Sequence, residues 1–142
     1  MSKESTVTIE AARFLGNRDW RVISIALPSG GSGTTFRSKN SELPEIVPDL
    51  IAKHSSSMRA IIVESKPSFS QSDVDKLMSI RTGGYEESIR NYLSMGSNDL
   101  ILCLAFAGKS EVDYARLGID LVLTVDGSKQ VNIEYDREKL FS

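Results

Sequence analysis

The sequence predicts an α/β fold: a single domain with a central mixed β-sheet flanked by helices. Three observations carry that prediction. Short apolar, β-branched runs recur along the chain, and stretches with helical periodicity separate several of them. One run, Asp99–Phe106, is apolar at every position after its first, as in a strand buried on both faces of a sheet. The 142 residues suffice for one sizeable core, and no linker, internal repeat or low-complexity tail divides them.

Glu4 to about Leu15 form a helix with Val7, Ile9, Ala12, Phe14 and Leu15 on a broad apolar face, stopped by Gly16-Asn17. Trp20–Leu27 is a strand ended by Pro28. Ser29-Gly30-Gly31-Ser32-Gly33-Thr34-Thr35 opens a loop that runs to Pro44, so residues 29–44 are expected to be flexible. A loop of about fifteen residues in a compact domain is more often functional than idle. Glu45–Ala52 and Arg59–Lys66 are consecutive strands, with His54-Ser55-Ser56-Ser57 as a hairpin turn. Ser70-Gln71-Ser72-Asp73 has the capping chemistry of a helix start, and Val74, Leu77, Met78 and Ile80 are the core face of that helix. Gly83-Gly84 separates it from a second helix near Glu86–Leu93. After the Asp99–Phe106 strand come a short helix over Ser110–Leu117, a strand over Ile119–Val125 and an edge strand over Val131–Tyr135.

Composition narrows the class. Hydrophobic residues at 40% and charged residues at 25% are those of a soluble globular chain, not of a disordered one. No apolar run approaches the roughly 20 residues that span a bilayer, so no membrane partner is expected. The N-terminus lacks the apolar stretch of a signal peptide, and the lone Cys103 has no internal disulfide partner; both agree with a cytoplasmic protein. Cys103 reads as a buried core residue. The net charge of −2 argues mildly against a general nucleic-acid binder, yet the charge is uneven. Residues 1–66 hold nine Lys or Arg against seven Asp or Glu, and residues 67–142 hold eight against twelve.

The more basic half also carries the residues that point to chemistry. Pro48-Asp49 and Glu64-Ser65-Lys66 lie on consecutive strand-like segments. Strand side chains alternate faces, so Glu64 and Lys66 share one face while Ser65 points to the other. With Asp49 across from Glu64, two carboxylates converge on one spot with an ammonium beside them. Mg²⁺ takes one or two carboxylates plus waters and a substrate phosphate oxygen, and the Ser65 backbone carbonyl would add a further ligand. A cation held there polarises a phosphate, lowers the pKa of an attacking water and offsets transition-state charge. Lys66 would orient that water, deprotonate it or neutralise phosphate charge; the base role requires a much lowered pKa. As bare strings both motifs are common in a chain this long, and their position on neighbouring strands is what gives them weight.

This arrangement resembles the PD-(D/E)XK nuclease superfamily, which includes many type II restriction endonucleases and the archaeal Holliday-junction resolvases. The resemblance covers the first helix to about Leu77. It implies a restriction endonuclease-like fold and a catalytic set of Asp49, Glu64 and Lys66, with Glu10 of the first helix as an extra acidic ligand. It also implies Mg²⁺, with Mn²⁺ as a substitute, cleavage of DNA to 5′-phosphate and 3′-hydroxyl ends, and a homodimer or a partner subunit. The resolvases carry a Ser/Gly-rich loop where Ser29–Gly33 stands. Pro67 directly after the lysine, two helices before the next strand and an acidic C-terminal half depart from that pattern. A restriction- or repair-type endonuclease is therefore favoured over a junction resolvase, and a catalytically inactive nuclease-fold subunit that binds DNA or a protein is the alternative.

Other features carry less. The glycine-rich segment lacks the lysine and spacing of a phosphate-binding loop, and no helix follows it. It reads as a DNA-facing loop or a linker, with Ser29, Phe36, Arg37 and Lys39 placed to follow a nucleic-acid backbone. His54 is the only histidine and reads as a solvated turn residue. Asp73 and Asp75 read as capping and surface charge, and Trp20 and Tyr85 as packing residues.

Overall fold

The computed structural model describes residues 2–27, 33–94 and 100–141. Its order of elements is α1 (Lys3–Gly16), β1 (Trp20–Ile25), β2 (Leu50–His54), β3 (Ala60–Lys66), α2 (Gln71–Thr82), α3 (Glu86–Leu93), β4 (Leu100–Ala107), a 3₁₀ turn (Tyr114–Arg116), β5 (Leu121–Val125) and β6 (Val131–Asp136). The six strands form one mixed sheet in sequence order. β2 runs antiparallel to both β1 and β3, β3, β4 and β5 are parallel, and β6 returns antiparallel to β5.

The period-two alternation of β4 divides the core. Leu100, Leu102, Leu104 and Phe106 face α2, α3 and the segment around Phe36, together with Ile51, Ile62 and Val122. Ile101, Cys103 and Ala105 face α1, together with Leu50, Ile61, Val63, Leu121 and Leu123. β4 is thus covered on both sides, as its unbroken apolar sequence predicts. Burying one face of a strand against a helix stabilises it by roughly 25 cal/mol per Å² of apolar surface removed from water. α1 turns Val7, Ala11, Phe14 and Leu15 inward, but also the polar Ser5 and Thr8. Thr8 stays satisfied because its hydroxyl donates to the Glu4 carbonyl at 3.1 Å. No described helix is long and apolar enough to cross a membrane.

Several boundaries differ from the sequence prediction, each for a local reason. The strand expected over Glu45–Ala52 begins only at Leu50 and continues to His54. Pro48 has no N–H to give a ladder, so Ile46 forms an isolated bridge with Phe36 and pairing resumes after Asp49. The helix expected over Ser110–Leu117 is only the 3₁₀ turn. Asp113 is extended and its carboxylate accepts the Ala115 N–H, a local bond that competes with helix propagation. Ser70 is the N-cap of α2 but caps no backbone N–H with its side chain; its hydroxyl pairs with that of Ser72.

Residues 33–44 are also less free than a flexible loop. Phe36 is buried, edge-on to Tyr92, and so does not face a nucleic-acid backbone. The Ser38 hydroxyl donates to the Gly83 carbonyl, the Lys39 N–H to the Gly84 carbonyl and the Tyr85 hydroxyl to the Pro44 carbonyl. Gly84 accepts this close approach at φ +80°, where a side chain would be strained and would crowd Lys39. Ser29, the glycines at 30 and 31, Ser32, Pro28 and Asp99 lie outside the described residues.

Candidate active site

The carboxyl end of β3 is where the sequence motifs meet. The ladder between β2 and β3 ends with Leu50 opposite Val63, and its continuation would set Asp49 opposite Glu64 and Pro48 opposite Ser65. Proline breaks the ladder there. The Asp49 main chain turns toward β1, its carbonyl accepting the Ala26 N–H at 2.9 Å. Its side chain turns the other way, and Oδ2 accepts the Ser65 N–H at 2.8 Å. A side-chain carboxylate thereby takes the bond that a continuing β2 would have taken. Because a strand residue presents its N–H and C=O to the same neighbour, the Ser65 carbonyl also faces the Asp49 side, where Pro48 has no N–H to offer it.

Glu64 emerges on the α2 face beside Ile62, as alternation requires, and is 5% exposed. Four further side chains complete the cluster. Lys76 of α2 brings Nζ to 2.7 Å from Glu64 Oε1, and Lys66 stands 3.7 Å from the same oxygen. Lys66 also approaches Glu4 in the first turn of α1 at 3.5 Å and Asp73 in the first turn of α2 at 3.8 Å. The two helix starts and the end of β3 thus converge at the carboxyl end of the parallel strands, where open α/β sheets bind their ligands. Four carboxylates (Glu4, Asp49, Glu64, Asp73) against two ammoniums (Lys66, Lys76) leave a net charge of −2.

Burial and like charge shape the protonation of this cluster. Burial raises the Asp49 carboxyl above its ordinary 3.8, against the Ser65 N–H bond, and Glu4 raises it further while Lys76 and Lys66 oppose. Burial likewise raises Glu64 above its ordinary 4.5, the charge of Asp49 adds to this, and the Lys76 hydrogen bond and Lys66 offset part of it. Burial pulls Lys66 down, but Glu64, Asp73, Glu4 and Asp49 together raise it above an ordinary lysine. Lys66 is therefore held as an ammonium, suited to neutralising phosphate charge or orienting water and not to taking a proton in this state.

The residues singled out in the sequence fall into three groups. Asp49, Glu64, Ser65 and Lys66 lie together. Glu10 does not join them: it pairs with Arg13 at 2.8 Å, six residues and about 9 Å further along α1 than Glu4, the acid that α1 does bring to Lys66. Arg37 and Lys39 are exposed and engaged, Arg37 with Glu45 at 3.5 Å and Lys39 with Glu87 at 2.8 Å. Glu4, Asp73 and Lys76 are the members the motifs did not announce. Their one sequence signal is placement, each within two turns of the start of a helix that abuts the motif strand. His54, against Trp20 at the other end of β2, takes no part.

The donors at the end of β3 that could reach a cation are oxygens. Among the described residues no three acidic, histidine or cysteine side chains are grouped so that they could hold a metal ion. The half-buried Asp49 and the buried Glu64, whose proton affinity the charge of Asp49 raises, are with a strand-end carbonyl oxygen donors of the kind that Mg²⁺ takes. Comparison with protein-family models, curated proteins and solved structures found no match.

Proposed function

We propose that the protein is a Mg²⁺-dependent DNA endonuclease of restriction or repair type. The observation that carries this reading is the Asp49 carboxylate, held by the Ser65 N–H one register step from the buried Glu64, with Lys66 beside both. Asp49, Glu64 and the Ser65 carbonyl would hold the cation. When bound, Mg²⁺ supplies charge to the phosphoryl oxygens and lowers the pKa of an attacking water. Asp49 and Glu64 exclude solvent on their protein side and fix the centre to the rigid end of a sheet. Lys66, kept protonated by three carboxylates within 4 Å, presents an ammonium to the scissile phosphate or to the water that attacks it. Glu4 and Asp73 position Lys66. A homodimer or a partner subunit would set two such centres on one duplex, and a cytoplasmic location agrees with the single buried thiol.

The test is a cleavage assay with Mg²⁺ on plasmid, single-stranded and four-way junction DNA. Wild type is expected to nick or cut at least one of these, and Asp49→Asn and Lys66→Ala to lose at least a hundredfold of that rate. Either variant cutting at the wild-type rate sinks the proposal. A second reading, a nuclease-like scaffold without activity, is favoured by one feature: Lys66 and Lys76 already compensate Glu64 without a metal. Calorimetry with Mn²⁺ separates the two, since a scaffold shows no stoichiometric binding that Glu64→Gln removes.

A further inference from the structure

Lys76 belongs to neither sequence motif, yet it makes the shorter of the two lysine contacts to Glu64, 2.7 Å against 3.7 Å for Lys66. The two lysines differ in how they are held. Lys66 is part of β3, is 28% exposed at its side chain and is surrounded by Glu4, Glu64 and Asp73. Lys76 reaches in from the second turn of α2, its side chain is 50% exposed, and among the described residues it forms an ion pair with Glu64 alone. A flexible, solvent-reaching ammonium therefore rests on a rigid carboxylate that is 6% exposed. The contact forms in a narrow cleft between β3 and α2 whose walls at Pro48, Ile62, Leu77 and Ile80 are apolar, so the two lysines are what compensates Glu64 there.

We propose that Lys76 is a resident counter-cation that holds Glu64 in the metal-free protein and leaves it when a divalent cation loads, a role that rests on the metal-nuclease reading of this same centre. A carboxylate as buried as Glu64, with the charge of the half-buried Asp49 beside it, needs positive charge nearby to stay ionised in a folded protein. Without Lys76 the cluster would hold four carboxylates against one ammonium. A divalent ion on Glu64 makes the ammonium redundant and repels it at short range. Lysine suits such an exchange: its charge is compact and strongly hydrated, and its four-carbon stem returns it to water without moving the backbone. Lys66 is poorly placed for it, since three carboxylates retain it whether or not the cation is present.

The experiment is Mn²⁺ calorimetry on the full chain at pH 8 with wild type, Lys76→Met and Glu64→Gln, alongside thermal melts. Lys76→Met is expected to bind Mn²⁺ about tenfold more tightly than wild type, the scale of a lost charge-assisted competitor at a half-exposed site. Its metal-free midpoint falls and its Mn²⁺-induced rise in midpoint grows. Affinity equal to or below wild type overturns the counter-cation role. Wild type that binds Mn²⁺ through Glu64 while Lys76→Met binds no better sinks this role alone; wild type with no Glu64-dependent binding sinks the metal reading and this role with it. Should the variant fail to fold, the wild-type protein decides: in ¹⁵N spectra the Lys76 ammonium must shift toward solvent-exposed lysines on saturation with Mg²⁺, and an unmoved resonance overturns the role.

Discussion

At Glu64, burial raises the carboxyl's proton affinity, the charge of Asp49 raises it further, and Lys76 and Lys66 recover part of the difference. Ionising this residue therefore opposes folding in the metal-free protein. Glu64→Gln keeps the shape, removes the charge, and leaves Lys76 half in water where losing its partner costs little. It is expected to raise the metal-free melting midpoint by about 3 °C, near 1 kcal/mol, while abolishing cleavage and the Mn²⁺-induced shift. A lower midpoint for Glu64→Gln would show that the charge is stabilising. The same directions fix a pH dependence. Asp49 and Glu64 both bind protons more tightly folded than unfolded, so stability from this pair is fully present below the ordinary values of 3.8 and 4.5 and is lost as pH rises through the raised ones. The metal-free midpoint is expected to climb as pH falls through the raised values toward the ordinary 3.8 and 4.5, and saturating Mg²⁺, which would bind the ionised pair, to flatten or reverse that climb. Melts at both conditions check it. A metal-free midpoint that falls over that range contradicts the burial of the pair.

At the scale of elements, what the sequence made legible depends on how local its cause is. Alternation along β3 and the missing N–H of Pro48 act within a few residues, so Asp49, Glu64 and Lys66 can be placed from the strand pattern. Glu4 and Lys76 reach the site only because α1 and α2 both begin at the carboxyl end of the sheet, a fact of packing that helical periodicity does not contain. Glu10 has the same residue type as Glu4 on the same helix and lies about a turn and a half too far along. Asp120 was equally hidden, sitting between Ile119 and Leu121 in an apolar run. Its buried carboxylate accepts from Arg81 at 2.5 Å and from the Leu102 N–H at 2.9 Å, and pairs with Arg137 at 3.1 Å. It ties the end of α2, β4 and the residue after β6 together, at the end of the parallel strands opposite the candidate site. Asp120→Ala strips a buried acceptor from two arginines and a backbone N–H, and is expected to cost about 3 kcal/mol, or about 10 °C in midpoint. Below the new midpoint its Mn²⁺ affinity should match wild type. A loss of affinity in the folded variant would mean that the two ends of the sheet are coupled.

For the molecule as a whole, the charge distribution sets how DNA would reach the site. The chain carries −2 overall, and the cluster at the end of β3 carries −2 on its own before any cation is added. The loop cations Arg37 and Lys39 lie by the end of α2, away from the cluster, and already face Glu45 and Glu87. A phosphate approaching the metal-free protein therefore meets net negative charge. Divalent binding cancels the cluster's charge and leaves Lys66, with Lys76 if it is released, to meet the backbone. Metal should accordingly govern DNA association as well as cleavage. Ca²⁺ can fill an oxygen-ligand site while supporting little hydrolysis, which allows binding to be read alone. Anisotropy of a labelled duplex is expected to show at least tenfold tighter binding with Ca²⁺ than with chelator. The slope of log affinity against log salt should be shallow, about −2 to −3, because only two or three phosphates are neutralised. Tight binding that ignores Ca²⁺, or a slope near −8, would place the DNA on a different and more basic surface than the end of β3.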